Sequence, residues 1–156
     1  MQLFFYICRM PKIRVRIINQ STNPLPEYAT DGSAGMDLRA SLPSPVILEP
    51  LQRMLIPTGI FIELPKNHEA QVRPRSGLAI KHGLTCLNSP GTVDADYRGE
   101  LKVILINLSS EPHTILHGDR IAQMIVSKVE KVKWKTAKRI SDTKRGEGGF
   151  GHTGKI

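Results

Sequence analysis

Asp94 and Asp96 stand two residues apart in the run Asp94-Ala95-Asp96-Tyr97-Arg98-Gly99-Glu100, which follows Asn88-Ser89-Pro90-Gly91. Carboxylates at i and i+2 of an extended chain share a face, where they can chelate a metal ion or where one can act as general base on a water. The same residues also suit a turn, which describes Asp96 and Gly99 better than Asp94. Asp94 lies between Val93 and Ala95, in a segment expected to be partly buried. A second constellation, Pro74-Arg75-Ser76-Gly77-Leu78, falls where a strand should end and a helical turn begin. Arg75 offers a fork of donors, Ser76 a hydroxyl, and the first-turn N–H groups an oxyanion site. The plainer reading of this run is a helix capped by Ser76. The third is the tail 145–156, with five glycines, one aromatic ring (Phe150) and the cations Arg145 and Lys155. Such a tail either lets backbone N–H groups approach an anion closely or is simply a flexible end.

Two familiar nucleotide motifs fit that tail literally. Gly146, Gly148 and Gly151 satisfy G-x-G-x-x-G, and 146–153 has P-loop spacing with His152 where the lysine belongs. Both need a strand before the glycines and a helix after them, and only three residues follow Thr153. His113 and His117 are spaced as zinc ligands on a helix would be, but Pro112 and Gly118-Asp119 argue against a helix and no third ligand is near. Gln123 should share a strand face with Ile121 and Ile125, so either a structural hydrogen bond or a ligand explains it. No Ser-His-Asp order or Cys-His pair emerges, and Cys8 and Cys86 have no metal spacing. Two isolated cysteines suggest a reducing compartment, and the cytoplasm is the expected location.

The elements that must position these residues are short strands. Alternation at 13–17 and apolar runs at 45–48, 53–56, 59–64, 69–73, 101–108, 114–116 and 120–129 are separated by Pro, Gly, Asn and Asp. That spacing predicts an all-β sandwich or barrel. The run 101–108 should be a central strand buried on both faces, and the segment 88–100 before it a hairpin. One helix is expected at 76–82, closed by Gly83. In 131–139, alternation would turn Val132 and Trp134 inward and the lysines outward, a solvated strand face rather than a nucleic-acid patch. At 156 residues and a net charge of +8, the chain reads as one domain with an anionic partner. The apolar run 3–8 is too short for a membrane span and lacks signal-peptide flanks. Residues 1–9 are read as an extension, 10–140 as the domain, with Met10 a plausible start, and 141–156 as an arm ordered only by a ligand.

Five segments, taken together and in order, resemble the motifs of the homotrimeric dUTPases. They are A-G-M-D-L-R-A at 34–40, P-R-S-G-L at 74–78, the stretch 88–99, G-D-R-I-A-Q at 118–123 and the tail 145–154. Met36 departs from the aromatic often found there, which implies a packing difference only. The resemblance implies a distorted jelly-roll or β-barrel with one short helix and a flexible C-terminal arm. It implies hydrolysis of dUTP to dUMP and pyrophosphate, limiting uracil in DNA and supplying dUMP for thymidylate synthesis. Mg²⁺ would sit on the triphosphate, with Asp37 in its outer, water-mediated shell. Asp94 would be the catalytic carboxylate. Asn88 and the backbone of Gly91, Thr92, Val93 and Asp94 would read uracil, and Tyr97 would pack under the deoxyribose. Lys102 would line the site. Arg75, Ser76, Gly77 and Gln123 would contact phosphates. From the arm, Phe150 would stack on uracil while Arg145, Gly151 and Thr153 hold the γ-phosphate, with sites shared among three subunits. No membrane and no specific nucleic acid is expected as partner. A dCTP deaminase of the same fold is a rival reading, but such enzymes lack the fifth motif. A non-catalytic nucleotide-binding or nucleic-acid-binding regulator is the other.

Overall fold

The structure, a computed structural model, describes residues 12–149. The expected extension at 1–9, Cys8, and Phe150, Gly151, His152 and Thr153 of the arm lie outside these residues. Ten strands and one helix run in the order β1 (Arg16–Asn19), β2 (Met36–Arg39), β3 (Val46–Leu48), β4 (Arg53–Glu63), β5 (His68–Arg73), α1 (Ser76–His82), β6 (Leu84–Cys86), β7 (Gly91–Val93), β8 (Leu101–Asn107), β9 (His113–Ile115) and β10 (Arg120–Lys128). They form one sheet ordered β1-β4-β8-β6, a second ordered β2-β10-β5-β7, and a two-stranded sheet β3-β9. Every pairing is antiparallel. The expected all-β architecture is present, and no barrel closes among the described residues.

The core lies between the two larger sheets. Ile56, Ile60 and Ile62 of β4 and Leu101, Val103 and Leu105 of β8 join Leu38, Ala70, Val72, Ala122 and Met124 from the second sheet. Each fully buried Leu or Ile here contributes about 2 kcal/mol. Asn107 is fully buried and fully bonded. Its Nδ2 donates to the carbonyls of Leu48 and Glu111, and its Oδ1 accepts from Ser109 N–H and Oγ–H. Cys86 is buried at the end of β6, and burial pushes its thiol up to about 11, so it stays protonated and inert. No helix among the described residues is long and apolar enough to cross a membrane.

Several expectations from the sequence need correction. The runs 53–56 and 59–64 are one strand, β4, which passes through Pro57 because its register against β8 slips between Pro57 and Ile60. A bulge tolerates the missing N–H of proline where a regular ladder does not. The strand expected at 13–17 begins at Arg16, and Ile17 and Ile18 are exposed because β1 is an edge strand that, among the described residues, pairs only with β4. In β8 only Leu101, Val103, Leu105 and Asn107 are fully buried; Ile104 and Ile106 on the other face are half-buried in a single chain. The segment 88–100 is not a two-stranded hairpin, since β7 pairs with β5 and β8 pairs with β4 and β6. It crosses from one sheet to the other. The stretch 131–139 forms no strand, and Val132 and Trp134 are exposed, because nothing in the described chain offers that backbone a ladder.

Candidate active site

The second sheet brings three motif segments into one row. Gln123 of β10 pairs with Asp37 of β2 on one side and Arg73 of β5 on the other. A bulge in β10 between Arg120 and Ala122 breaks the expected alternation, so Ile121 and Ala122 are both buried while Gln123 stays half-buried at the surface. Its Nε2 donates to the carbonyl of Pro74 at 2.9 Å, fixing the entry to α1. Gly35 makes room for this arrangement: a Cβ there would lie 2.5 Å from Gln123 Oε1.

Around that row sits a knot of charge. Arg75 Nε meets Asp37 Oδ1 at 2.9 Å and Arg120 Nη1 meets Asp37 Oδ2 at 3.2 Å. A second arm of Arg75 donates to the carbonyl of Arg120 at 3.1 Å. Arg75, not Ser76, is the residue at the N-cap of α1, extended at φ −96 and ψ 126, with no capping side-chain bond. The helix therefore starts at Ser76, whose side chain makes no cap and is exposed. The arginine is held by Asp37 instead, and helix geometry leaves the first-turn N–H groups, those of Ser76 and Gly77 among them, without intrahelical acceptors. At the other end Gly83 closes the helix in the left-handed conformation, φ 64, as expected. Arg120 stands in the segment 118–123, but its part was not legible there; only the pairing of β2 with β10 shows that it reaches Asp37.

A cleft of about 350 Å³ opens beside the row, lined by Arg73, Pro74, Ser89, Pro90 and Gln123. Its Ser89-Pro90 peptide is cis. The Asn88 carboxamide lies across Gly91, where a Cβ would come 2.8 Å from Nδ2. Gly91 and Val93 are buried by pairing with β5, while Thr92 is exposed.

Asp94 is elsewhere. It follows the far end of β7, about 13 Å beyond Pro90 along an extended chain. It is exposed rather than partly buried, and it does not share a strand face with Asp96, since both lie in the turn after β7. Its carbonyl accepts from Tyr97 N–H at 3.1 Å. Among the described residues, Asp94 lines a separate cleft of about 450 Å³ with Lys66, His68, Glu69, Asp96 and Lys131, neighbours that no sequence pattern announced. Tyr97 folds its phenol back to the Glu100 carbonyl at 3.0 Å. Lys102, on the outer face of β8, faces Glu100 at 3.5 Å. Arg145 is exposed and, among the described residues, its side chain bonds within its own turn, to the Gly148 carbonyl at 2.7 Å. Ion pairs and hydrogen bonds tie Asp37, Arg75 and Gln123 together at the start of the helix that carries Ser76 and Gly77, whereas the bonds and cleft neighbours of Asp94, Tyr97 and Arg145 among the described residues lie outside that cluster. No group of three or more His, Cys, Asp or Glu capable of holding a metal occurs among the described residues.

This two-sheet arrangement has close counterparts among solved structures. The dUTPase of Staphylococcus bacteriophage 80α with dUPNHPP superposes with a TM-score of 0.79 at 24% identity, covering 92% of this chain and 99% of that one. That likeness defines the class of fold, an all-β dUTPase-like jelly roll. The dUTPase family model matches residues 21–154. The deoxyuridine 5'-triphosphate nucleotidohydrolase of Cytophaga hutchinsonii is 58% identical over 141 residues, 90% of this chain and 92% of its own length. The enzyme of the same name from Finegoldia magna is 55% identical over 142 residues, covering 91% and 99%. The chain belongs to the dUTPase family.

Proposed function

We infer that this enzyme is a dUTP diphosphatase, hydrolysing dUTP to dUMP and pyrophosphate. The observation that carries the reading is the family match over 21–154 together with relatives above 50% identity that bear the nucleotidohydrolase name. Asp94 is the proposed base: its exposed carboxylate takes a proton from one water, which attacks the α-phosphorus as the bond to the pyrophosphate oxygen breaks. A carboxylate is a weak base in bulk water, but holding it against a single oriented water raises its effectiveness. Arg75 and the first-turn N–H groups of Ser76 and Gly77 bind phosphate oxygens, and Gln123 holds the strand-to-helix turn that presents them. Asn88 and the backbone of 91–94 read uracil. Cytosine exchanges an acceptor for a donor and leaves those fixed groups unpaired.

Asp37 fits a role beside Mg²⁺. It is a hard oxygen donor at the head of the phosphate row, partly exposed and therefore reachable by metal-bound water. When bound to the triphosphate, the ion would neutralise charge on the leaving pyrophosphate. Both oxygens of Asp37 already face arginines, which suits an outer-shell contact better than direct ligation.

The separation of Asp94 from the Arg75 row supports sites completed by other copies of the chain. So does the outer face of the first sheet, where Leu55 pairs with Ile104 and Leu55, Leu87 and Leu108 are exposed in one chain. A homotrimer is the proposed state, and light scattering that returned a monomer would defeat it. The C-terminal arm, with Arg145, Phe150, Gly151 and Thr153, is proposed to close over bound nucleotide, and the cytoplasm is the proposed compartment. The deciding experiment is pyrophosphate release with each deoxynucleoside triphosphate. Release from dUTP alone is expected; ammonia from dCTP, or no product, would overturn the reading.

A further inference from the structure

Glu100 has no part in the contacts proposed above, yet its side chain is one of the most committed in the molecule. One carboxylate oxygen accepts from two successive backbone N–H groups, Thr58 at 3.1 Å and Gly59 at 2.8 Å. The other faces Lys102 Nζ at 3.5 Å. Those two amides belong to the bulge in β4, where the register slips between Pro57 and Ile60 and the ladder has no carbonyl for them. The bulge also grips the next residue, since Thr58 Oγ1 donates to the Leu101 carbonyl at 2.5 Å. The start of β8 is therefore pinned at two consecutive residues. Onto that pinned backbone the Tyr97 hydroxyl donates, at 3.0 Å to the Glu100 carbonyl. Gly99 clears the way, because a Cβ there would collide with the Tyr97 ring.

We propose that Glu100 is a positioning residue for sugar selection: its carboxylate anchors its own carbonyl to the β4 bulge, and that carbonyl holds the Tyr97 ring in place. The inference rests on the reading of Tyr97 as the surface beneath the deoxyribose. Excluding one additional hydroxyl requires a ring that does not yield. Tyr97 sits half-exposed in a loop outside any ladder, so the loop alone does not supply that rigidity. A carboxylate bonded to two amides, one residue from the strand start, does.

The test is the ratio of kcat/KM for dUTP to that for UTP, measured on the full chain with the melting temperature of each variant. Glu100→Asp keeps the charge but shortens the reach to the bulge by one methylene, while Glu100→Gln keeps the reach and an acceptor oxygen but loses the charge. E100D is expected to lower the ratio roughly tenfold, and E100Q to leave it within about twofold. Tyr97→Phe, which removes only the hydroxyl and its bond to the carbonyl, should lower it by about threefold or more. An E100D enzyme that melts earlier but keeps the ratio would show a purely structural role and overturn the proposal. E100Q relaxed as far as E100D, or Y97F unchanged, would overturn it as well. Tyr97→Ala separates the two levels: if it too leaves the ratio unchanged, the reading of Tyr97 fails, and if it alone relaxes selection, only the role of Glu100 does.

Discussion

Asp37, Arg75, Arg120 and Gln123 are tied to one another and to backbone across β2, β10 and the turn into α1, whereas Asp94 and Arg145 stand exposed on segments without a ladder. Both regions come from motifs of similar clarity, but they are organised at different levels. The Asp37 cluster is finished within one chain: one carboxylate orients two guanidinium groups, so a triphosphate bound there as proposed would find little left to order. The Asp94 turn and the arm have no such scaffold among the described residues. On the proposed reading, the nucleotide and neighbouring copies would complete their geometry. If the arm closes as proposed, ordering it would cost about 1 kcal/mol or more per residue, which would restrict closure to ligands that engage its whole length.

The contrast can be broken from either side. The largest effect is expected for Asp94→Asn, which should cut kcat by about 10³-fold or more while nucleotide affinity, measured by calorimetry, stays near wild type. Near-normal turnover would remove Asp94 from the chemistry. Deleting residues 141–156 should leave the fold intact by circular dichroism and lower kcat/KM for dUTP by about 10²-fold, through lost closure. Full activity in that truncation would make the arm incidental. Arg75→Ala touches the finished region, and steady-state kinetics should show KM rising about tenfold to a hundredfold, with a smaller change in kcat. Arg120→Ala should do least. That residue is half-exposed and shares Asp37 with Arg75, so denaturant unfolding should shift by under about 1 kcal/mol. A larger loss than that of Arg75→Ala would show that the knot depends on Arg120.

The all-β class, the short helix with its glycine stop, and most long strands were legible because apolar alternation and Pro/Gly punctuation are local signals. The places where reading failed share a cause in tertiary partners. Pro57 looks like a strand end until the bulge amides after it find Glu100 forty-odd residues away. Ser76 looks like a cap because serine suits one, but the N-cap position falls on Arg75, whose side chain goes to Asp37 rather than to the first-turn amides. The segment 88–100 reads as a hairpin since β7 and β8 are neighbours in sequence, and nothing local says that β7 belongs with β5. Among the site residues, the motif positions were all visible in the sequence. What was not visible is their division into a cluster that one chain assembles and a set that it does not, because that depends on which end of a three-residue strand each occupies.

Gly35 and Gly77 show what this division means for tolerated variation. A side chain at Gly35 would strike Gln123, whereas a Cβ at Gly77 would meet nothing within 4 Å. The first glycine is demanded by the fold, and the second has no internal reason to be one. A library selected only for folding should therefore reject substitutions at Gly35 and accept alanine at Gly77, and a library selected for growth on the enzyme's activity should reject both. Position 77 would then record, in its pattern of permitted residues, the footprint of a ligand rather than of the protein.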